Sequence, residues 1–231
     1  MALSITNSPV HTVEYYMGVV DKVVEYGCDE ICLKDMAGIG RPSVLGRLVS
    51  EIKKKYPHII VQYHGHTGPG FSPASMLEVA RAGADYLDTA VEPLSWGKVH
   101  PDIITVREML KADGFLVKDL DMDAYMEVRS LTQKFIDDFL GYWIDPNNSH
   151  MSSLLVGCGL PGGMMGSMMA DLQGVHGAIN AGPVSSTHIR AHETVLNLVC
   201  RLLLDKNKAS RHSTYNHKNT SVIASDSESD R

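Results

Sequence analysis

Glu25-Tyr-Gly27-Cys-Asp29-Glu-Ile-Cys-Leu-Lys34 decides the fold when it is set beside Arg81-Ala-Gly83-Ala-Asp85-Tyr-Leu-Asp88-Thr89. In both stretches a helical pattern stops at a glycine, an aspartate follows, and a short apolar run begins. Glycine accepts the left-handed conformation that ends many helices, because it has no Cβ to clash. Upstream of the first junction, Thr12 predicts a helix cap, and Val13, Tyr16, Val20, Val23 and Val24 recur at helical spacing. Downstream, Gly38 to Gly40 predict a loop and Pro42 a helix start. That helix carries Val44, Leu45, Leu48, Val49 and Ile52 as its inner stripe, with Lys53, Lys54 and Lys55 where positive charge suits the dipole.

The same alternation continues in both directions. Ala2 to Thr6 is a β-prone run closed by the turn signal Asn7-Ser-Pro9. Ile59 to His64 predicts a strand, Gly68-Pro-Gly70 a loop, and the residues after Pro73 a helix with Met76, Leu77, Val79 and Ala80 inward. Asp85 to Val91 is a further strand. Strands and helices in regular alternation mean parallel β/α units, either an open doubly wound sheet or a (β/α)8 barrel. No GxGxxG follows the first strand, so a dinucleotide fold has little support. Lys34, Asp35, His64, His66, Asp88 and Thr89 cluster at strand ends, where a barrel builds its active site.

The later chain reads differently. Residues 101–113 predict an amphipathic helix with Ile103, Ile104, Val106, Met109 and Leu110. Met122 to Trp143 predicts a longer one, burying Tyr125, Val128, Leu131, Phe135, Phe139 and Leu140. Beyond the loop Asp145-Pro-Asn-Asn lies Leu160-Pro-Gly-Gly-Met-Met-Gly-Ser-Met168. Gly162 and Gly163 suit a tight turn, and Met164, Met165, Met168 and Met169 suit core filling. Periodicity weakens from Ala181, and Ser210 to Arg231 is polar enough to be disordered.

Composition narrows the function classes. The 231 residues are 44% hydrophobic, enough for a sizeable core, and carry a formal net charge of -6. No basic run is present, which argues against nucleic acid or an anionic membrane as partner. Cys28, Cys32, Cys158 and Cys200 show no CxxC pairing and read as reduced, buried thiols. Met1-Ala-Leu-Ser lacks the features of a signal peptide. Val195 to Leu204 is apolar but interrupted by Arg201, and falls short of the roughly 20 residues a membrane span needs. The expectation is a cytoplasmic protein with no membrane span.

Two features carry chemistry. Strand alternation puts His64 and His66 on one face, so the pair is either half of a metal site or two satisfied histidines at a strand end. The Gly-Pro-Gly loop leaves that end open, and Lys34 and Asp35 end a neighbouring run. Lys34 in an apolar strand is costly unless paired or neutral. It either pairs with an acid such as Asp88, or burial lowers its pKa. A neutral amine can form a Schiff base, or take up carbon dioxide as a carbamate that ligates a divalent metal.

Ser8-Pro-Val-His-Thr12, Ile31-Cys-Leu-Lys-Asp-Met-Ala-Gly38, His64-Gly-His66, Ala82-Gly-Ala-Asp-Tyr-Leu-Asp-Thr-Ala90 and Leu160-Pro-Gly-Gly163 occur in order. Together they resemble the carboxyltransferase barrel of biotin-dependent enzymes: pyruvate carboxylase, the oxaloacetate decarboxylase α subunit and the keto-acid subunit of transcarboxylase. The resemblance covers about residues 1–180 and is specific in combination. It implies that Lys34 is carbamylated and binds Zn, Mn or Co together with His64 and His66. It implies a 2-keto acid substrate of the pyruvate or oxaloacetate type, with biotin arriving on a separate carrier protein. In the family, the metal polarises the keto acid while carboxyl moves between its methyl carbon and biotin N1.

The resemblance also carries departures. The family barrel has eight units, and this chain matches it from the fifth onward. The expected fold is therefore α/β: the C-terminal half of a (β/α)8 barrel, about four parallel units, with a helical C-terminal extension. The unmatched half supplies an aspartate ligand and substrate-binding residues in the family. This points to a second chain carrying the N-terminal half barrel, or to a homodimer. The family has Thr or Ser as a proton shuttle where Gly166 stands here, so either Ser167 takes the role with a shift of one residue or the shuttle is lost. No Met-Lys-Met biotin attachment site follows. The implied division is 1–115 as the partial barrel, 116–180 as the helical extension with the PGG motif, and 181–231 as a divergent, partly disordered tail. Two other readings stay open: an acyl-CoA lyase or synthase of the same barrel superfamily, and a non-catalytic fragment.

Overall fold

The structure, a computed structural model, describes residues 1–144, 151, 153 and 200–203. The elements run β1 (Ala2–Ser4), α1 (Val13–Glu25), β2 (Glu30–Asp35), α2 (Pro42–Lys55), β3 (Ile60–Gly65), α3 (Ser72–Arg81), β4 (Tyr86–Thr89), α4 (Ile103–Ala112) and α5 (Met122–Asp138), then a 3₁₀ turn (Leu140–Tyr142) and β5 (Cys200–Leu203). Local chemistry sets the boundaries as the residues require. The Thr12 hydroxyl accepts from Tyr15 N at 3.2 Å, and Pro42 occupies the first turn of α2. Gly27 and Gly83 leave their helices at φ 84° and 102°. At the second junction, the Asp85 carboxylate then accepts from Val61 N at 2.8 Å and pairs with Lys53.

β1, β2, β3 and β4 are parallel and lie side by side in chain order. Order without reversal is how a barrel wall is wound, whereas a doubly wound sheet reverses at a switch point. One sheet face meets the helices. Ile31, Leu33, Val61, Tyr63 and Leu87 pack there against Val20, Leu48, Ile52, Val79, Val106 and Leu110. Each aliphatic side chain among them contributes about 1.5–3 kcal/mol when fully buried. The other face is polar. In β2, Ile31, Leu33 and Asp35 are buried, while Glu30, Cys32 and Lys34 alternate with them and are half-buried. The strands are thus apolar on one face only, not on both.

Four expectations change. β5 pairs antiparallel with β4, in a segment whose weak periodicity predicted no strand. The long helix stops at Asp138 rather than Trp143, and the chain tightens into a 3₁₀ turn. Its apolar stripe is largely uncovered: Leu131, Phe135 and Phe139 are 60%, 52% and 53% exposed, and Val128 is 39% exposed. Tyr125 and Leu140 alone of the six named residues are buried. Periodicity marks an apolar face but not its partner. What tethers α5 among the described residues is polar, the Tyr125 hydroxyl donating to Asp102 Oδ2 at 2.9 Å and Arg129 pairing with Glu92 at 3.1 Å. Finally, Cys28 and Cys32 are half-buried rather than buried.

No helix among the described residues is long and apolar enough to cross a membrane. Ser167, the PGG motif and the methionine group after it, and Ser210 to Arg231 lie outside the described residues.

Candidate metal centre

The polar sheet face carries the site. Lys34 on β2 and His64 on β3 are register partners, so both point away from the helices. Asp88 on β4 stands next to them. Its Oδ2 accepts from Gln62 Nε2 at 2.6 Å and from His64 Nδ1 at 2.7 Å. A carboxylate only accepts, so the proton of a neutral His64 sits on Nδ1 and Nε2 keeps its lone pair. The intervening Gly65 is required sterically, because a Cβ there would lie 2.3 Å from the Tyr63 ring.

His66 follows the strand, with its backbone N donating to Asp35 O at 2.9 Å. Its ring hydrogen-bonds the Lys98 backbone. His100, on the loop between β4 and α4, is the residue that sequence reasoning missed. It is 1% exposed, and its Nδ1 donates to Gly65 O at 2.9 Å. The three rings converge. Centroids lie 5.5 Å apart for His64 and His66, 4.4 Å for His64 and His100, and 4.7 Å for His66 and His100. One nitrogen from each lies within 4.8 Å of the others. The only signal in the sequence was Trp96-Gly-Lys-Val-His100-Pro101, a histidine held by a proline soon after a strand that ends in acid.

Burial and the neighbouring imidazoles keep the His66 and His100 rings neutral. Desolvation first, then the charges of His100 and His64, push His66 down to about 3. Desolvation and then His64 push His100 down to about 4. Neutral imidazoles are what a metal needs. The metal-stripped protein should therefore lose stability in acid. Both folded values lie below the unfolded value of about 6.5, so the unfolded chain binds protons that the folded chain refuses. Stability is complete above pH ~6.5 and falls with pH toward the folded values. Between pH ~6.5 and ~5 the loss is roughly 2–3 kcal/mol for the two groups together. Urea melts with chelator at both pH values check this, and equal midpoints contradict it.

Two expected placements change. Asp35 does not join the histidines. It is fully buried on the helix side, where Oδ1 accepts from Ile39 N at 3.0 Å, and Oδ2 from Gly40 N at 2.9 Å and the Tyr63 hydroxyl at 3.2 Å. Adjacent strand residues face opposite ways, so Lys34 and Asp35 cannot share a site. The Lys34–Asp88 ion pair is also not among the described contacts, in which Asp88 Oδ2 meets Gln62 and His64. Lys34 acts on the cluster through its charge, which helps to lower the pKa of His66 and of His100.

Comparison with known proteins agrees with this architecture. A family profile described as HMGL-like matches residues 1–131. The chain is 30% identical over 172 residues to a pyruvate carboxylase subunit of Methanocaldococcus jannaschii, covering 74% of this chain and 30% of that protein. It is 29% identical over 169 residues to the methylmalonyl-CoA carboxyltransferase 5S subunit of Propionibacterium freudenreichii subsp. shermanii, covering 73% and 33%. The carboxyl transferase domain of Rhizobium etli pyruvate carboxylase, solved with pyruvate and biocytin, superposes with a TM-score of 0.63 at 20% identity, over 74% of this chain and 29% of that one. The β1–β4 wall with its helices therefore has the fold of part of a carboxyl transferase barrel. The chain spans about 30% of the length of the relatives it matches.

Proposed function

Because this chain belongs to the HMGL-like family, we propose that it provides the metal site for biotin-linked carboxyl transfer or decarboxylation of a 2-keto acid. The observation that carries this reading is the convergence of His64, His66 and His100, each ring steered by a polar partner behind it. Outer partners of this kind fix the tautomer and raise ligand basicity. Among the described residues His100 Nε2 is buried with no hydrogen-bond partner, and an unfilled imidazole lone pair suits a borderline divalent ion such as Zn, Mn or Co.

When bound, such an ion supplies Lewis acidity toward a keto-acid carbonyl. The chain's own residues do the rest. His64 and His66 hold the ion, and Asp88 keeps His64 Nε2 aimed at it. Lys34 joins as a carbamate: its amine nitrogen bonds the carbon of carbon dioxide and loses a proton, leaving a carboxylate on a long stem. Ser167 returns a proton to biotin. On this reading the polar face receives the keto acid and biotin on a carrier protein. A second chain bearing the N-terminal half barrel, or a second copy of this one, would cover that face. On this reading residues 1–115 furnish the wall, 116–180 the extension and 181–231 the tail. The names of the two curated relatives above favour carboxyl transfer over the acyl-CoA lyase alternative.

The test is metal content and intact mass on one preparation. Protein produced with zinc or manganese and kept in bicarbonate is expected to hold one equivalent of metal, with one carbon dioxide added at Lys34. His64→Ala is expected to hold none. Absence of metal from both proteins refutes the proposal.

A further inference from the structure

We infer that His100 is a ligand of this metal, so that Lys34, His64, His66 and His100 make a four-ligand set drawn from this chain alone. The inference rests on the reading above that the site holds a metal. The wanted fourth ligand, which the family takes from its other half barrel, is then already present on the loop after β4.

A backbone carbonyl only accepts, so the His100 Nδ1 that lies 2.9 Å from Gly65 O carries the hydrogen. In the neutral ring Nε2 then holds a lone pair. That nitrogen is buried and meets no donor among the described residues. A buried polar atom left unsatisfied costs about 1–3 kcal/mol. The ring stands edge-on to His64 at 79° and to His66 at 73°. Edge-on packing alone would be served equally by an aromatic ring with no such atom. A cation bound by all three nitrogens removes the cost and accounts for the choice of histidine.

The backbone independently fixes His100 in place. Val99 O accepts from both Thr67 N, at 2.7 Å, and the Thr67 hydroxyl, at 2.8 Å, which ties the loop to the segment carrying His66. Gly68 N donates to Gly97 O at 3.2 Å, and Trp96 N to His100 O at 2.8 Å. Trp96 itself sits at φ 70°, which a bulky residue adopts only under constraint. The loop is held in a strained form whose visible outcome is one imidazole edge brought to two others.

The test uses the full chain, stripped with chelator and titrated with Co(II). His100→Ala is expected to weaken binding by more than about 100-fold, beyond what losing an outer partner costs. It should also change the visible d–d spectrum, while the exposed His58→Ala changes neither. The unaltered protein supplies a second reading that does not depend on a variant folding. Each ring N–H is protected by a partner, on Asp88, Lys98 and Gly65 respectively. The Co(II) protein should therefore show three hyperfine-shifted exchangeable imidazole protons, one from each histidine of the cluster. Two such protons, with His100→Ala binding within about threefold of the parent, overturn the role of His100 and leave the metal site standing. No Co(II) binding by the unaltered chain overturns both.

Discussion

Gly68→Ala is expected to destabilise the protein by roughly 3 kcal/mol or more, one of the largest effects of any single methyl group in this chain. Gly68 has φ 54°, and a left-handed alanine costs about 1–2 kcal/mol by itself. The larger part is steric. A Cβ at Gly68 would lie 2.0 Å from Ala37 O, 2.9 Å from Ala37 C and 3.0 Å from Gly38 Cα. All three are backbone atoms, so no side chain can swing away. Gly38 mirrors the problem, since its own Cβ would lie 2.3 Å from His66 O. The loops after β2 and β3 thus touch backbone to backbone, directly beside the histidines. Relief requires moving the segment that carries His66, so metal affinity should fall together with stability. Thermal melts check the prediction, with about 10 °C expected for a domain of this size. Gly27→Ala is the control. Its φ is 84° but nothing lies within 4 Å of the added carbon, so only the backbone cost of about 1–2 kcal/mol applies. Equal losses in the two variants would show that the close approach is unimportant.

Asp35→Ala should cost about 3 kcal/mol or more by a different mechanism. The Asp35 carboxyl is fully buried and accepts from Ile39 N, Gly40 N and the Tyr63 hydroxyl. Removing it strands two backbone donors in the core, each worth about 1–3 kcal/mol when unsatisfied, and takes one partner from the Tyr63 hydroxyl. Desolvation raises the Asp35 pKa, opposed by the backbone donors of Gly40 and Ile39. The two oxygens meet different donors, so the placement of both acceptors matters. Asp35→Asn is therefore expected to lose less, retaining one acceptor but turning an amide toward a donor. Chemical denaturation of the three proteins orders them parent, Asn, Ala. An alanine variant as stable as the parent would remove Asp35 from its place as organiser of the loop after β2.

The histidine pair and the winding were legible because they depend on neighbours in the chain. Two residues apart on a strand means one face, whatever surrounds the strand, so His64 and His66 could be paired on paper. The helix-to-glycine-to-aspartate junction at Gly27 and Gly83 announced parallel units for the same reason. His100 was not legible. It lies on a loop outside any repeating pattern, and its approach to His66 depends on Thr67 holding Val99 O. The stripe on α5 misled in the opposite direction. Val128, Leu131 and Phe135 have helical spacing, which says nothing about whether another element covers them.

The sequence by itself therefore determined the alternation of strand and helix, the caps and stops of the helices, and the side of the sheet on which each strand residue falls. These follow from backbone sterics and the periods of 2 and 3.6, which are local. Only the tertiary structure decided which polar strand-end residues meet. It sent Asp35 into the helix-side core, set Asp88 against Gln62 and His64, and brought His100 across from another loop. Those outcomes rest on hydrogen bonds between segments far apart in the chain, and no local period encodes them.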